Sequence, residues 1–143
     1  MSRVSSTSEV ESFQYGDQED AAMLSVSVRV YHCAACDLSF TTEEASESRH
    51  EAVCRHLGIL TPTEVRGVRE RCKLSQADFA ELSKIGKASL ARWERGALFQ
   101  NQANDNLLYL LTFDDNVVRL RERARLRNAS TVESETNVIF LAR

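Results

Sequence analysis

The chain has 143 residues, of which 43% are hydrophobic and 27% are charged, with a formal net charge of −3. That length suits one domain or two small ones, and the hydrophobic content is enough for a core, which excludes wholesale disorder. No apolar run approaches the length of a bilayer span, and the start lacks the basic-then-apolar pattern of a signal peptide. We therefore expect a cytoplasmic protein with no membrane partner.

The charges are divided unevenly along the chain. Residues 1–59 hold 4 Lys and Arg against 10 Asp and Glu, whereas residues 60–128 hold 13 against 9. An acidic front half and a basic back half suit a protein that contacts nucleic acid with one part and something else with the other. A charged helical face is usually only solvated, so charge alone does not establish this.

The front of the chain predicts strands. Residues 1–12 are rich in serine and acidic residues, which predicts a flexible arm. Apolar and polar residues alternate from Leu24 to Val30, which predicts a half-buried strand, and an earlier strand is expected from Phe13 to Tyr15 with a turn at Gly16. The Leu24 strand can offer its edge to a partner, although membership of a small sheet is the simpler interpretation.

Helix signals dominate from residue 41 onwards. Thr41 and Glu44 form a capping box for a helix that should end at Gly58. Five further helices are expected to begin near Pro62, Gln76, Lys87, Asn101 and Asp114. The predicted fold class is mainly α, with a small N-terminal strand and helix zinc-binding module in front of a five-helix domain.

The predicted domain organisation has four parts. A flexible arm over 1–12 precedes the strand and helix module over 13–58. The five-helix domain covers 59–128, and a C-terminal tail covers 129–143. The tail contains Val138 to Leu141, an apolar stretch with no obvious partner in the chain.

Residues 76–93 carry the most specific pattern. A helix-turn-helix needs an apolar and a small residue in its first helix, then a turn, then two apolar anchors that dock the second helix. The chain supplies these in order as Phe79 and Ala80, Ile85 and Gly86, and Leu90 and Trp93.

With the closing Trp93-Glu94-Arg95-Gly96, residues from about 60 to 112 resemble the lambda-repressor-like (Xre) helix-turn-helix family. The resemblance implies that the second helix reads base edges in the major groove and that Arg92 is a base reader, the alternative being a pair with Glu94. The implied DNA-binding residues are Gln76 as a phosphate ligand, Lys87, Ala88, Ser89 and Arg92 on the reading helix, and Gln100, Asn101 and Gln102 as backbone donors. The family usually has glycine where this chain has Lys84, and a left-handed conformation there would cost about 1 kcal/mol.

Four residues have the spacing of zinc ligands. Cys33 and Cys36 form a C-x2-C pair, and after thirteen intervening residues His50 and Cys54 stand four apart on one helix face. Zinc in structural sites takes four such ligands in a tetrahedron. The sequence therefore predicts a structural Zn²⁺ bound by these four residues, with His56 as an alternative to Cys54. A redox C-x2-C pair and a finger that has lost its metal are the competing interpretations, and Cys72 is expected on the core face with Val65 and Val68.

The order of the parts resembles the MqsA-type (YgiT-type zinc-finger) antitoxins of bacterial toxin–antitoxin systems. The resemblance is carried by the Cys33 and Cys36 pair, by residues 49–58 and 60–62, and by residues 92–96 and 100–105. It implies a homodimeric repressor that binds operator DNA and neutralises a cognate toxin protein. The alternative is a stand-alone helix-turn-helix regulator whose zinc module is structural or senses a ligand. An enzyme is not expected, because Glu51, the only candidate base beside the metal, points away from it.

Overall fold

The structure is a computed structural model that describes the backbone of residues 3–141 and the side chains as far as Thr131. The chain divides into two compact units, one ending at Pro62 and the other beginning at Thr63. The elements in chain order are β1 (Val4–Tyr15), β2 (Ala22–Cys33), β3 (Leu38–Thr41), α1 (Glu43–Leu57), α2 (Pro62–Arg71), α3 (Gln76–Ser83), α4 (Lys87–Glu94), α5 (Gln102–Leu110) and α6 (Asp114–Leu141).

The first unit is an antiparallel three-stranded sheet in the order β1-β2-β3, with α1 packed on β2. β1 and β2 form a long hairpin in which Tyr15 pairs with Ala22 at one end and Val4 with Cys33 at the other. Gly16 opens the turn with φ 98°, a conformation that residues with a side chain rarely adopt. β3 pairs only with the last four residues of β2, Val30 to Cys33.

The expected alternation along β2 is present. Val28 is buried, Leu24, Val26 and Val30 are partly buried, and the serines and Arg29 between them are exposed. The core beneath this face is completed by three buried residues of α1, which are Ala45, Val53 and Cys54. The helix ends as predicted at Gly58, whose φ of 67° lets its N–H reach the carbonyls of the last turn. Its start differs slightly, because Thr42 rather than Thr41 is the N-cap and makes no side-chain cap bond.

The predicted flexible arm over 1–12 is corrected by the structure. Residues from Val4 onwards belong to β1 and are paired with β2 along their whole length. Their low hydrophobicity correctly indicated exposure, since nearly all of them are exposed. Exposure does not prevent pairing, because the backbone hydrogen bonds of the hairpin and the hydroxyl pairs Ser8–Ser27 and Ser12–Ser25 hold the strand.

The second unit is built from helices, and the five that the sequence predicts are all present within the described residues. Ser75 caps α3 by accepting a hydrogen bond from the Asp78 N–H, and Asn101 caps α5 by accepting one from the Asn104 N–H. The core of this unit contains the fully buried side chains Val65, Val68, Phe79, Leu90 and Leu108.

The last helix is longer than predicted. α6 begins at Asp114 as expected but continues to Leu141, so the predicted division between a helix ending near 127 and a tail over 129–143 does not appear in the backbone. The apolar stretch Val138 to Leu141 lies outside the residues whose side chains are described. None of the described helices is long and apolar enough to cross a membrane.

Candidate nucleic-acid interface

The turn between α3 and α4 is formed by three residues. Lys84 adopts the left-handed conformation that its position demands, with φ 60°, and its ammonium pairs with Glu81. Ile85 is buried and docks the turn, and its N–H donates to the Ser83 hydroxyl at 3.3 Å. Gly86 then caps α4 with an ordinary negative φ. The glycine therefore stands two residues after the strained position instead of occupying it.

The two faces of α4 differ as a reading helix requires. Leu90 is fully buried and Trp93 is 7% exposed, so both predicted anchors dock the helix against the unit's core. On the other side Lys87, Ala88 and Arg92 are exposed, while Ser89 is only partly exposed. The result is a short helix that presents two cations and a methyl group to solvent on a rigid base.

Glu94 at the end of α4 is the centre of a buried ionic network. Its carboxylate accepts two hydrogen bonds from Arg69, at 2.7 and 3.0 Å, and one from the Gln76 amide at 2.9 Å. Arg66 approaches the same carboxylate at 4.0 Å and also donates to the Glu94 carbonyl at 2.9 Å. This network joins α2, α3 and α4, so it fixes the position of the reading helix.

The electrostatics of this network follow from burial and pairing. Burial alone would raise the pKa of Glu94, but hydrogen bonds from Arg69 and Gln76 and the charges of Arg69 and Arg66 outweigh it and lower the pKa. The Glu94 hydrogen bond raises the pKa of Arg69. Both groups are therefore held in their charged forms.

The sequence reasoning did not find this network. It offered Glu94 as a partner for Arg92, whereas the structure pairs it with residues 25 and 18 positions earlier in the chain. One signal was present: Arg66 and Arg69 each follow a core position of α2, Val65 and Val68. Cations that adjoin a buried face are placed to reach a buried carboxylate.

The structure explains three residues of the motif Trp93-Glu94-Arg95-Gly96. The tryptophan anchors the helix, and the glutamate holds α2 and α3. Gly96 then takes φ 67° and donates its N–H to the Trp93 carbonyl at 3.1 Å, which closes the helix.

Several predicted backbone contacts lie near helix starts. Gln76 is the first residue of α3 and is partly exposed, although one amide N–H is directed to Glu94. Asn101 uses its side-chain oxygen to cap α5, and Gln102 is exposed in the first turn. Gln100 differs from the prediction, because it is only 6% exposed and its amide donates to Asp105 at 3.0 Å. Gln100 therefore supports the loop before α5 and is not available to a phosphate.

The predicted zinc ligands fall into two separate pairs. Arg49 donates to Glu11 at 2.7 Å, and Glu11 pairs with Val26, so the neighbouring His50 lies near the level of Val26. Cys33 is seven residues further along the same strand, which at about 3.3 Å per residue is roughly 23 Å away.

The second helical ligand lies still further away. The His56 ring meets the Tyr15 ring at the turn end of the hairpin, with centroids 6.1 Å apart. Cys54 precedes it by two residues and is completely buried against the sheet. The pair Cys33 and Cys36 lies at the opposite end, where Cys36 is exposed.

No group of three or more His, Cys, Asp or Glu placed to hold one metal ion is found among the described residues. The four residues as arranged therefore do not fit one tetrahedral zinc ion, and replacing Cys54 with His56 moves the ligand further from Cys33. Hydrogen bonds from the Ala35 N–H and from Cys36 lower the pKa of the Cys33 thiol, and burial lowers the pKa of His50. Cys72 is partly buried at the end of α2, where burial raises its pKa.

The comparison with protein families bears on the second unit. Residues 65–111 match the family model described as Helix-turn-helix. The chain holds an Xre-like helix-turn-helix domain at these residues. The match covers about a third of the chain and contains α3, the turn, α4 and α5. No curated protein matches the chain. A domain of this kind indicates a DNA-binding transcription regulator.

Proposed function

We propose that this protein is a sequence-specific transcriptional repressor that reads operator DNA with α4. The observation that carries the proposal is the asymmetry of this helix within the helix-turn-helix domain. Leu90 and Trp93 are buried and dock the helix against the core. Its exposed side chains include Lys87, Ala88 and Arg92. An α-helix fits the major groove, where each base pair presents its own pattern of donors, acceptors and methyl groups.

Each exposed side chain has a chemical role in this proposal. Arg92 and Lys87 donate to the O6 and N7 acceptors of guanine, and the Ala88 methyl contacts a thymine methyl. Gln76 and Gln102, at the starts of α3 and α5, contact phosphates, where helix N-termini also direct backbone N–H groups at an anion. The Glu94 network holds α2, α3 and α4 in register during binding.

Selection from a pool of random DNA duplexes tests this function. The full chain should enrich one motif, and its affinity for that motif should exceed its affinity for scrambled duplex by about 10³-fold or more at physiological salt. Recovery of no motif after repeated rounds, with equal affinity for all duplexes, would contradict the proposal.

We also propose that the repressor acts as a homodimer. Four apolar side chains at the end of α5 and the start of α6, each about half exposed, form a candidate contact surface: Tyr109, Leu110, Phe113 and Val118. Contiguous apolar surface of this kind often marks an interface, and a two-fold dimer matches a palindromic operator. Sedimentation of wild type and of a Leu110→Glu variant tests the dimer. Wild type should sediment as a dimer and the variant as a monomer, and a wild-type monomer at all concentrations would refute it.

The antitoxin role is the more specific form of this proposal, and its support is the resemblance in the order of parts. The first unit supplies a surface for a toxin, since β1 is an edge strand of the sheet and Val10 on it is 78% exposed. An added strand from a partner pairs with such an edge. Co-purification from the host tests this role. A stoichiometric protein partner that arrests growth when expressed alone supports the antitoxin role. If the chain co-purifies with DNA and with no protein partner, the result favours a stand-alone regulator.

A further inference from the structure

The exposed part of α6 carries a dense row of arginines. Residues 119–127 contain five arginines and a single acidic residue, Glu122. All five arginines are exposed, whereas Leu120 and Ala124 between them are partly buried. This segment is the most strongly basic stretch of the chain.

Helix geometry places three of these arginines in one line. Arg119, Arg123 and Arg127 are four residues apart, so they lie on one face at intervals of about 6 Å along the axis. The line is about 12 Å long. One DNA strand presents a phosphate about every 3.4 Å of its axis, so a line of this length can meet about three phosphates.

The charges of this line have no partner among the side chains that the structure describes. Within residues 3–131, whose side chains the structure describes, the guanidinium groups of Arg119, Arg123 and Arg127 form no ion pair and no hydrogen bond. Arg121 behaves differently, since it donates to the Cys72 carbonyl at 3.2 Å. The cations of the line are therefore free to bind an external anion.

The contact of Arg121 places this segment near the start of α3, where the proposed phosphate contact Gln76 lies. Cys72 lies four residues before Gln76, the first residue of α3, and α6 packs against α3. Arg71 and Lys73, on either side of Cys72, add two exposed cations to the same region.

We propose that Arg119, Arg123 and Arg127 of α6 bind the DNA phosphate backbone next to the site that α4 reads. The proposal rests on the proposed function and extends it to a second contact. The planar guanidinium group binds phosphate oxygens through two parallel hydrogen bonds, and α6 packs against α3 of the helix-turn-helix. The line also spans about three phosphates of one strand, and these features favour DNA as the occupant. These contacts add affinity for any sequence and leave the choice of bases to α4.

The salt dependence of DNA binding tests the proposal. The full chain carrying Arg119→Gln, Arg123→Gln and Arg127→Gln is compared with wild type on two 40-base-pair duplexes, the selected motif and a scrambled sequence. Each lost phosphate contact lowers the slope of log affinity against log salt by about 0.9, so the slope should fall by about 2 to 3 on both duplexes. The affinity ratio between the two duplexes should remain that of wild type.

Two control variants make the result specific. A triple Arg→Lys variant at the same positions keeps the charge and should retain most of the slope. Arg29→Gln with Arg55→Gln removes two exposed charges from the first unit and should leave the slope unchanged. If circular dichroism shows that the triple Gln variant has lost its helices, the single variant Arg123→Gln replaces it in the test. This variant should lower the slope by about 0.9.

The outcomes separate this inference from the proposed function. A triple Gln variant with a wild-type slope overturns the inference, and loss of self-association alone would assign the line to a protein partner and overturn it equally. The proposed function still stands in either case if wild type prefers its selected motif. Wild type that binds neither duplex contradicts the proposed function itself.

Discussion

Replacing Glu94 with alanine removes the centre of the network that joins α2, α3 and α4. The change breaks two hydrogen bonds from Arg69 and one from Gln76. It leaves the Arg69 side chain, which is 15% exposed, without its carboxylate partner. Removing one member of a buried ion pair costs about 3–5 kcal/mol. Because water still reaches part of Arg69, we expect the lower end, about 3 kcal/mol of unfolding free energy.

The chain contains its own probe for this measurement. Trp93 is the only tryptophan in the sequence, and it is buried in the second unit. Urea unfolding followed by its fluorescence therefore reports that unit alone. With a slope of about 1 kcal/mol per molar urea, Glu94→Ala should lower the midpoint by about 3 M. Thermal unfolding of a domain of this size should shift by roughly 12–24 °C.

Glu81→Ala is the matched control. It removes the same charge from the same domain, but Glu81 is exposed and, as far as side chains are described, its ion pair is with Lys84. A surface pair of this kind contributes about 0–1 kcal/mol. Replacing both Arg69 and Glu94, as Arg69→Met with Glu94→Leu, should restore more than half of the loss, since the remaining cation of the network, Arg66, is about half exposed to water. If Glu94→Ala lowers the unfolding free energy no more than Glu81→Ala does, the buried network does not stabilise this unit.

Three further outcomes are expected. Because the pKa of Glu94 is lowered in the folded protein, its charge stabilises the second unit above the ordinary glutamate pKa of about 4.3, and this stabilisation is lost as pH falls through the lower folded pKa. Glu94→Gln should remove this acid-dependent part of the unfolding free energy measured by Trp93 fluorescence. A variant whose pH profile equals that of wild type would contradict this. Lys84→Gly should raise the unfolding free energy by about 1 kcal/mol by relieving the left-handed strain, whereas Lys84→Ala should not. Cys54→Ser should lower the stability of the first unit by about 1–3 kcal/mol, measured by hydrogen exchange, because Cys54 is completely buried. Cys33→Ser should leave that stability within about 0.5 kcal/mol of wild type. Equal losses of stability in the two variants, together with equal loss of bound zinc, would instead support one four-ligand site.

Much of the second unit could be predicted from the sequence because its signals are local. A cap such as Ser75, an anchor such as Trp93 and a helix end such as Gly96 each act within one or two turns of a helix. The left-handed turn at Lys84 was also predictable, since the helix crossing demands that conformation whichever residue occupies the position.

The first unit was less predictable because its organisation depends on long-range pairing. β1 carries few apolar residues, so its sequence resembles a flexible arm, and only its register with β2 makes it a strand. The same register separates Cys33 from His50 and Cys54, although their spacing in the sequence suits a single zinc ion. The Glu94 network likewise unites residues on three helices. Within one helix the only signal is that Arg66 and Arg69 adjoin the buried face of α2, and that signal does not identify their partner.

Sequence-specific binding in the proposed function depends on a base contact made by Arg92 on α4. The most direct test measures Arg92→Ala on the selected duplex and on duplexes with each base pair of the motif replaced in turn. Arg95→Ala serves as the matched control, since Arg95 is exposed nearby and donates to the Ala91 carbonyl. We expect Arg92→Ala to lose about 1–3 kcal/mol of binding free energy on the selected duplex and to discriminate no longer at one base pair, while Arg95→Ala still discriminates at every position. An equal loss for Arg92→Ala on every duplex, with discrimination intact at all positions, would contradict it.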